Sequence, residues 1–236
     1  VKKQVTFLFS IFTGTVFVAT PVVLAVPSTD TPKSPTSPNL EAKTTIHAAA
    51  LTLKDLPPGF KELPPQLKTA IATQLEPLKQ AIAKDNLPLN HFFAFIEPEK
   101  MELVMGFTGT LTSQRQQAQF DAALKQVQKP EFEKEIKKLE PGLRSLQVVK
   151  FMNYKKRPEF NHLANASSGF SIGAKIEQLP VNFDVIGFRR QSFGAFTAVM
   201  HMTDKEPSIS VKDVVTKLDR RVSLPSSLRN LPGISK

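Results

Sequence analysis

The chain offers few residues in patterns that do chemistry, and what is missing narrows the function first. Its histidines, His47, His91, His162 and His201, stand far apart in sequence, with no His-Glu-x-x-His or His-x-His spacing and no cysteine to complete a zinc set. No metal ligands are therefore assigned. No serine sits in a Gly-x-Ser-x-Gly elbow; Ser167-Ser168-Gly169 and Gln191-Ser192-Phe193-Gly194 read as turns. Gly106-Phe-Thr-Gly109 lacks the third glycine of a dinucleotide loop and falls in a hairpin pattern, so no cofactor is assigned. The carboxylate pairs Glu97/Glu99 and Glu133/Glu135 occupy turn and helix positions and are expected to be exposed, unlike a glycosidase pair. No catalytic residue is named. An enzyme would have to assemble its site from distant residues, for which His91, His162, His201 and Asp184 are the candidates.

Binding chemistry is better represented. Arg189-Arg190 closes a strand-like run whose partner opens with Phe193, so a guanidinium beside an aromatic could recognise a carboxylate or phosphate. The competing structural reading of Arg189, Arg190 and Phe193 puts one arginine in water and the other at the sheet rim. Lys155, Lys156 and Arg157 fall in a polar link and could meet an anionic membrane, wall polymer or envelope protein; a solvated loop is the preferred account. The 18 phenylalanines, against one tyrosine and no tryptophan, are core residues first, and would also line a pocket for an apolar small molecule. Nucleic acid is not expected, because the basic residues are not interleaved with aromatics.

These residues need elements to hold them. The clearest pattern is Phe170, Ile172, Ala174 and Ile176 alternating with small or polar residues, followed by the runs Val181 to Arg190 and Phe193 to Met202. This predicts three consecutive antiparallel strands. Two more strands are expected at His91 to Ile96 and Met101 to Leu111 around an acidic proline turn, and another at Ser145 to Tyr154. Helices are expected at Pro65 to Lys84 with a kink or break at Pro77, at Ser113 to Val127 behind a capping box, at Pro130 to Leu139 stopped by Pro141-Gly142, and at Val211 to Val222 capped by Ser210.

The 236-residue chain carries a formal charge of +10 and no cysteine, so an ordinary apolar core must hold the fold. Residues 1–25 read as a signal peptide: Lys2-Lys3, a nearly uncharged apolar stretch from Val5 to Leu24, and a cleavage site after Ala25. An uncleaved N-terminal anchor is the alternative. Removing residues 1–25, whose charged residues are Lys2 and Lys3, lowers +10 to +8. Residues 26–45 form a Pro/Ser/Thr-rich linker, residues 46–223 one α+β domain, and residues 224–236 a loose C-terminal tail. The expected setting is exported: periplasm, thylakoid lumen or extracellular.

Leu51-Thr-Leu-Lys-Asp-Leu-Pro-Pro-Gly-Phe60 and Asp184-Val-Ile-Gly-Phe-Arg-Arg190, followed by a strand and a closing helix, resemble a group of exported bacterial α+β domains that includes uncharacterised lipoproteins and extracytoplasmic sensor domains. The chain departs from that group in lacking the lipid-bearing cysteine. It is more faintly similar to the PsbP-like extrinsic proteins of photosynthetic membranes. Neither resemblance supplies catalytic residues. The reading is a single α+β domain, a mainly antiparallel sheet with helices packed chiefly on one face. Its expected function is that of a non-catalytic, monomeric binding or accessory protein of the cell envelope. An envelope enzyme and an extrinsic subunit of a membrane complex are the alternatives.

Overall fold

Strand-forming runs of Phe, Val and Ile build the centre of the molecule. The computed structural model describes residues 50–83, 87–144, 149–176 and 178–223. The expected signal peptide, linker and tail lie outside the described residues. Seven antiparallel strands, β1 (Lys61–Glu62), β2 (His91–Glu97), β3 (Glu102–Thr110), β4 (Val149–Lys156), β5 (Ala166–Ile176), β6 (Leu179–Arg190) and β7 (Phe193–Met202), form one sheet in the order β1-β2-β3-β7-β6-β5-β4. The three-strand meander is its middle and one side. It joins the β2–β3 hairpin through β3 and β7, whose register sets Val104 beside Val199 and Met105 beside Ala198.

Strand alternation gives this sheet two apolar faces, and each is covered differently. One face carries Phe92, Ala94, Met105, Phe196, Met200, Val185 and Phe170; against it pack α1 (Pro65–Ala83), α2 (Gln114–Val127) and α3 (Pro130–Arg144). The other face, here called face A, carries Phe93, Phe95, Val104, Val199, Ile186 and Phe188. It is covered by α4 (Val211–Ser223) through Val211, Val214, Val215 and Leu218, and by the N-terminal residues Leu51, Leu56 and Phe60. Three of the four helices among the described residues thus share one face. The caps read from sequence are formed: Ser113 Oγ accepts from Gln116 N at 3.2 Å in a capping box, and the N-cap Ser210 Oγ accepts from Asp213 N at 3.1 Å.

Three expectations are corrected. α1 runs through Pro77 without the break that was one of the two expected outcomes, and α3 passes Pro141 and Gly142 to end at Arg144. Each proline forfeits one i→i−4 bond, a loss that packing against neighbouring elements outweighs. Lys155 and Lys156 lie in β4 and not in a loop, because β4 continues to Lys156 and β5 begins already at Ala166.

Candidate functional site

Arg189 and Arg190 point to opposite sides of the sheet, as alternation requires, and each meets an aspartate on the helix packed there. Arg189 Nε and Nη2 donate to Asp121 of α2 at 2.7 Å each, and its Nη1 donates to the Gln191 carbonyl at 3.0 Å. Arg190 Nε and Nη2 donate to Asp219 of α4, again at 2.7 Å each. The hydrogen bonds to these carboxylates raise both guanidinium pKa values against the effect of burial. Adjacent arginines therefore clamp one helix on each face, with their forks filled from within the chain. Phe193 is buried, its ring 6.1 Å from that of Phe188 in the core under α4.

The other basic group divides as well. Lys156 Nζ donates to the Gln128 carbonyl at 2.6 Å, and Tyr154 Oη to the Val127 carbonyl at 2.8 Å, so both tie β4 to the C-terminal end of α2. A cation at that end also complements the helix dipole. Burial, with the Glu133 charge adding, raises the Tyr154 pKa well above its ordinary value. Arg157 lies over the Phe160 ring at 4.7 Å, pairs with Glu159, and reaches Ser171 Oγ at 2.9 Å and Asp184 Oδ1 at 3.1 Å. Lys155 alone of the three is exposed with no ion pair among the described residues.

Asp184 and His201, two of the distant candidates, do meet. His201 Nε2 is 3.5 Å from Asp184 Oδ2, while its Nδ1 lies 2.9 Å from both the Met202 and the Lys205 carbonyls. Both ring nitrogens thus face acceptors, which suits the protonated ring. The hydrogen bond to Asp184 raises the His201 pKa, burial opposes it, and the two carbonyls and the Asp184 charge carry the net shift upward. Burial alone would push the Asp184 carboxyl up, but hydrogen bonds from His201 and Ser171 and the Arg157 charge hold it below its ordinary value. Ser171 Oγ donates to Asp184, not to an imidazole, and a carboxylate so stabilised is a weak base. This is the geometry of a fixed polar network. The exposed His162 lies in the link after β4, and His91 stands at the start of β2 opposite Thr108, so neither joins it.

Around this network, α4 leaves the β4–β5 edge of face A uncovered. α4 packs on β6 and β7, and the turn Pro158–Phe160 closes the side near β5. On the open part, register pairs Lys150 with Lys175, Asn153 with Gly173, and Lys155 with Ser171; on β6, Asn182 continues the Asn153 row to His201. Gly173 is needed in this row, since a Cβ would sit 2.7 Å from Asn153 Oδ1, which accepts the Gly173 amide at 3.2 Å. Among the described residues, no carboxylate stands within ion-pair distance of Lys150, Lys155 or Lys175. Sequence reasoning missed Lys150 and Lys175 because strict alternation separates Lys150 from Asn153 and Lys155. A bulge between Phe151 and Asn153, with Met152 as the extra residue, puts all three on face A.

The expected exposure of Glu97 is corrected: it is 5% exposed under the Pro-Pro-Gly turn and faces Glu102, 2% exposed and missed by sequence reasoning, across β2 and β3. Glu102 accepts the Ser208 amide at 2.9 Å, Glu97 accepts the Glu99 amide at 3.2 Å, and the Glu97 carboxylate lies against Gly59 of the Pro-Pro-Gly turn. The recurring-looking Leu56-Pro57-Pro58-Gly59-Phe60 segment is thus read structurally: its turn seats Glu97 and sends Leu56 and Phe60 into the core.

No protein-family model matches the chain and no curated protein matches it. Among the described residues, no group of three or more His, Cys, Asp or Glu side chains could hold a metal, and no helix is long and apolar enough to cross a membrane. The class defined by fold and site is an α+β domain with a seven-stranded antiparallel sheet, whose open β4–β5 edge carries lysines on one face.

Proposed function

We propose that this chain is a non-catalytic exported binding or accessory protein, and that it recognises an anionic partner on the open β4–β5 edge of face A. One observation carries the reading: Lys150 and Lys175 stand directly opposite each other on neighbouring strands, with no carboxylate among the described residues within ion-pair distance to balance them. Like charges in that relation destabilise a sheet by a few tenths of a kcal/mol up to about 1 kcal/mol, and packing gives no return for it. An anion seated between them would. The apolar-ligand reading has less support. The phenylalanines pack on one another, as in Phe120 against Phe196 at 5.1 Å, and the depression at the start of α2 is lined by the polar Ser113, Arg115, Gln116 and Gln119. The test is a native pull-down from an extract of the source cells, with bound molecules identified by mass spectrometry. An anionic ligand held by the wild type should be lost in Lys150→Glu/Lys175→Glu; a captured set unchanged by the variant would sink the reading.

The enzyme alternative draws on the meeting of Asp184 and His201. Because both imidazole nitrogens face internal acceptors, turnover would require that contact to open. Activity screening of wild type against His201→Gln decides it: turnover lost in a folded His201→Gln protein would establish the enzyme.

A further inference from the structure

Resting on that binding reading, we infer that the open β4–β5 edge of face A holds a linear phosphate polymer, spanning from the Lys150/Lys175 pair to Lys155 across the Asn153 and Asn182 amides. The cations are ammonium groups, compact point charges that suit phosphate. The nearby guanidinium that would favour bidentate carboxylate, Arg157, is already occupied by Asp184 and Glu159. The spacing calls for a chain. Two residues along a strand advance about 6.7 Å, so the Lys150/Lys175 row and the Lys155/Ser171 row lie two steps, ~13 Å, apart. One orthophosphate cannot bridge them; consecutive phosphates can. Between the two rows, Asn153 uses its Oδ1 on the Gly173 amide, leaving its NH₂ to donate outward.

The surroundings select among polyanions. α4 and the Pro158–Phe160 turn rise beside the ledge on the β6 and β5 sides, so it is a step, not a plane, and exposure grows from half-buried Lys175 and Asn182 to exposed Lys150, Asn153 and Lys155. A narrow chain lies along such a step more readily than a flat bilayer. No Phe or Tyr side chain shares face A with these three rows, as base or sugar stacking would want.

The experiment titrates the domain with medium-chain inorganic polyphosphate by calorimetry at low salt. Saturable binding is expected, weakening as salt rises, with orthophosphate at equal phosphorus giving no saturable signal. Lys150→Gln/Lys175→Gln should weaken binding ~30-fold, about fivefold for each lysine. Lys125→Gln/Lys212→Gln, which removes the same charge from exposed helix positions, should stay within about threefold of wild type. If the first variant does not fold, Lys155→Gln should still weaken binding about fivefold. Equal losses in both double variants would overturn the site, as would saturable orthophosphate binding. Should polyglutamate, an oligonucleotide or phosphatidylglycerol vesicles bind through Lys150 and Lys175 while polyphosphate is inert, the phosphate-chain assignment falls and the anion-binding reading stands. If no polyanion depends on these lysines, both fall.

Discussion

Arg189 and Arg190 show how much and how little a residue pair reveals in sequence. Adjacent positions in a strand face opposite ways, so the sequence says that no single ligand contacts both on one face. It does not say that Asp121 and Asp219 wait on helices 68 and 29 residues away. Each clamp is bidentate and partly buried, so Arg190→Ala should destabilise the domain by about 1–2 kcal/mol in urea denaturation, and the double variant with Asp219→Ala should cost less than the sum of the singles. A coupling near zero would mean that solvent already screens the pair. Thr197 makes the opposite point. Its hydroxyl is buried on face A with no hydrogen-bond partner, and the same holds for Thr108, its diagonal neighbour. Thr197→Val keeps the shape and removes the unmet polar atom, so stability should rise by about 1 kcal/mol, read from the denaturation midpoint.

Elements were legible where local chemistry decides them. The helix caps at Ser113 and Ser210, the alternation of β5 and the aromatic-rich runs of β6 and β7 fall where their patterns place them. Prolines misled, because a proline's local cost in α1 and α3 is set against tertiary contacts that no window of sequence displays. The turn before β1 depends on both levels. Gly59 has φ +104°, which favours glycine, and any Cβ there would collide with the Glu97 carboxylate. Gly59→Ala should therefore cost about 3 kcal/mol or more in thermal or chemical unfolding. A loss under 1 kcal/mol would show that the turn relaxes freely and does not seat Glu97.

For the whole molecule, the Asp184–His201 contact predicts how stability follows pH. His201 has a raised pKa in the fold, so its contribution is complete below the ordinary histidine pKa and is lost as pH rises through the folded value. Asp184 has a lowered one, so its contribution is present above the ordinary carboxylate pKa and is lost as pH falls through the folded value. Between these limits the pair is charged on both sides and stability is greatest. Thermal unfolding across pH should show the alkaline decline in wild type and a flatter one in His201→Gln. An identical slope in both would remove His201 as its source. The groups around it, Arg157 from the link, Asn182 from β6 and the turn after β7 with Asp204, Lys205 and Glu206, are common to both proteins.

By itself the sequence determined the α+β class, the meander, the helix starts and the lack of any local catalytic motif, because these depend on periodicities of two or 3.6 residues and on side chains one turn apart. The tertiary structure alone decided which charges are spent and which remain. Pairing across the sheet put Lys150 opposite Lys175, a bulge at Met152 turned Asn153 and Lys155 to the same face, helix packing consumed Arg189, Arg190 and Lys156, and Asp184 of β6 consumed Arg157. Those outcomes depend on register between distant strands and on which face each helix covers, and a one-residue shift in either would exchange buried ion pairs for an open binding surface.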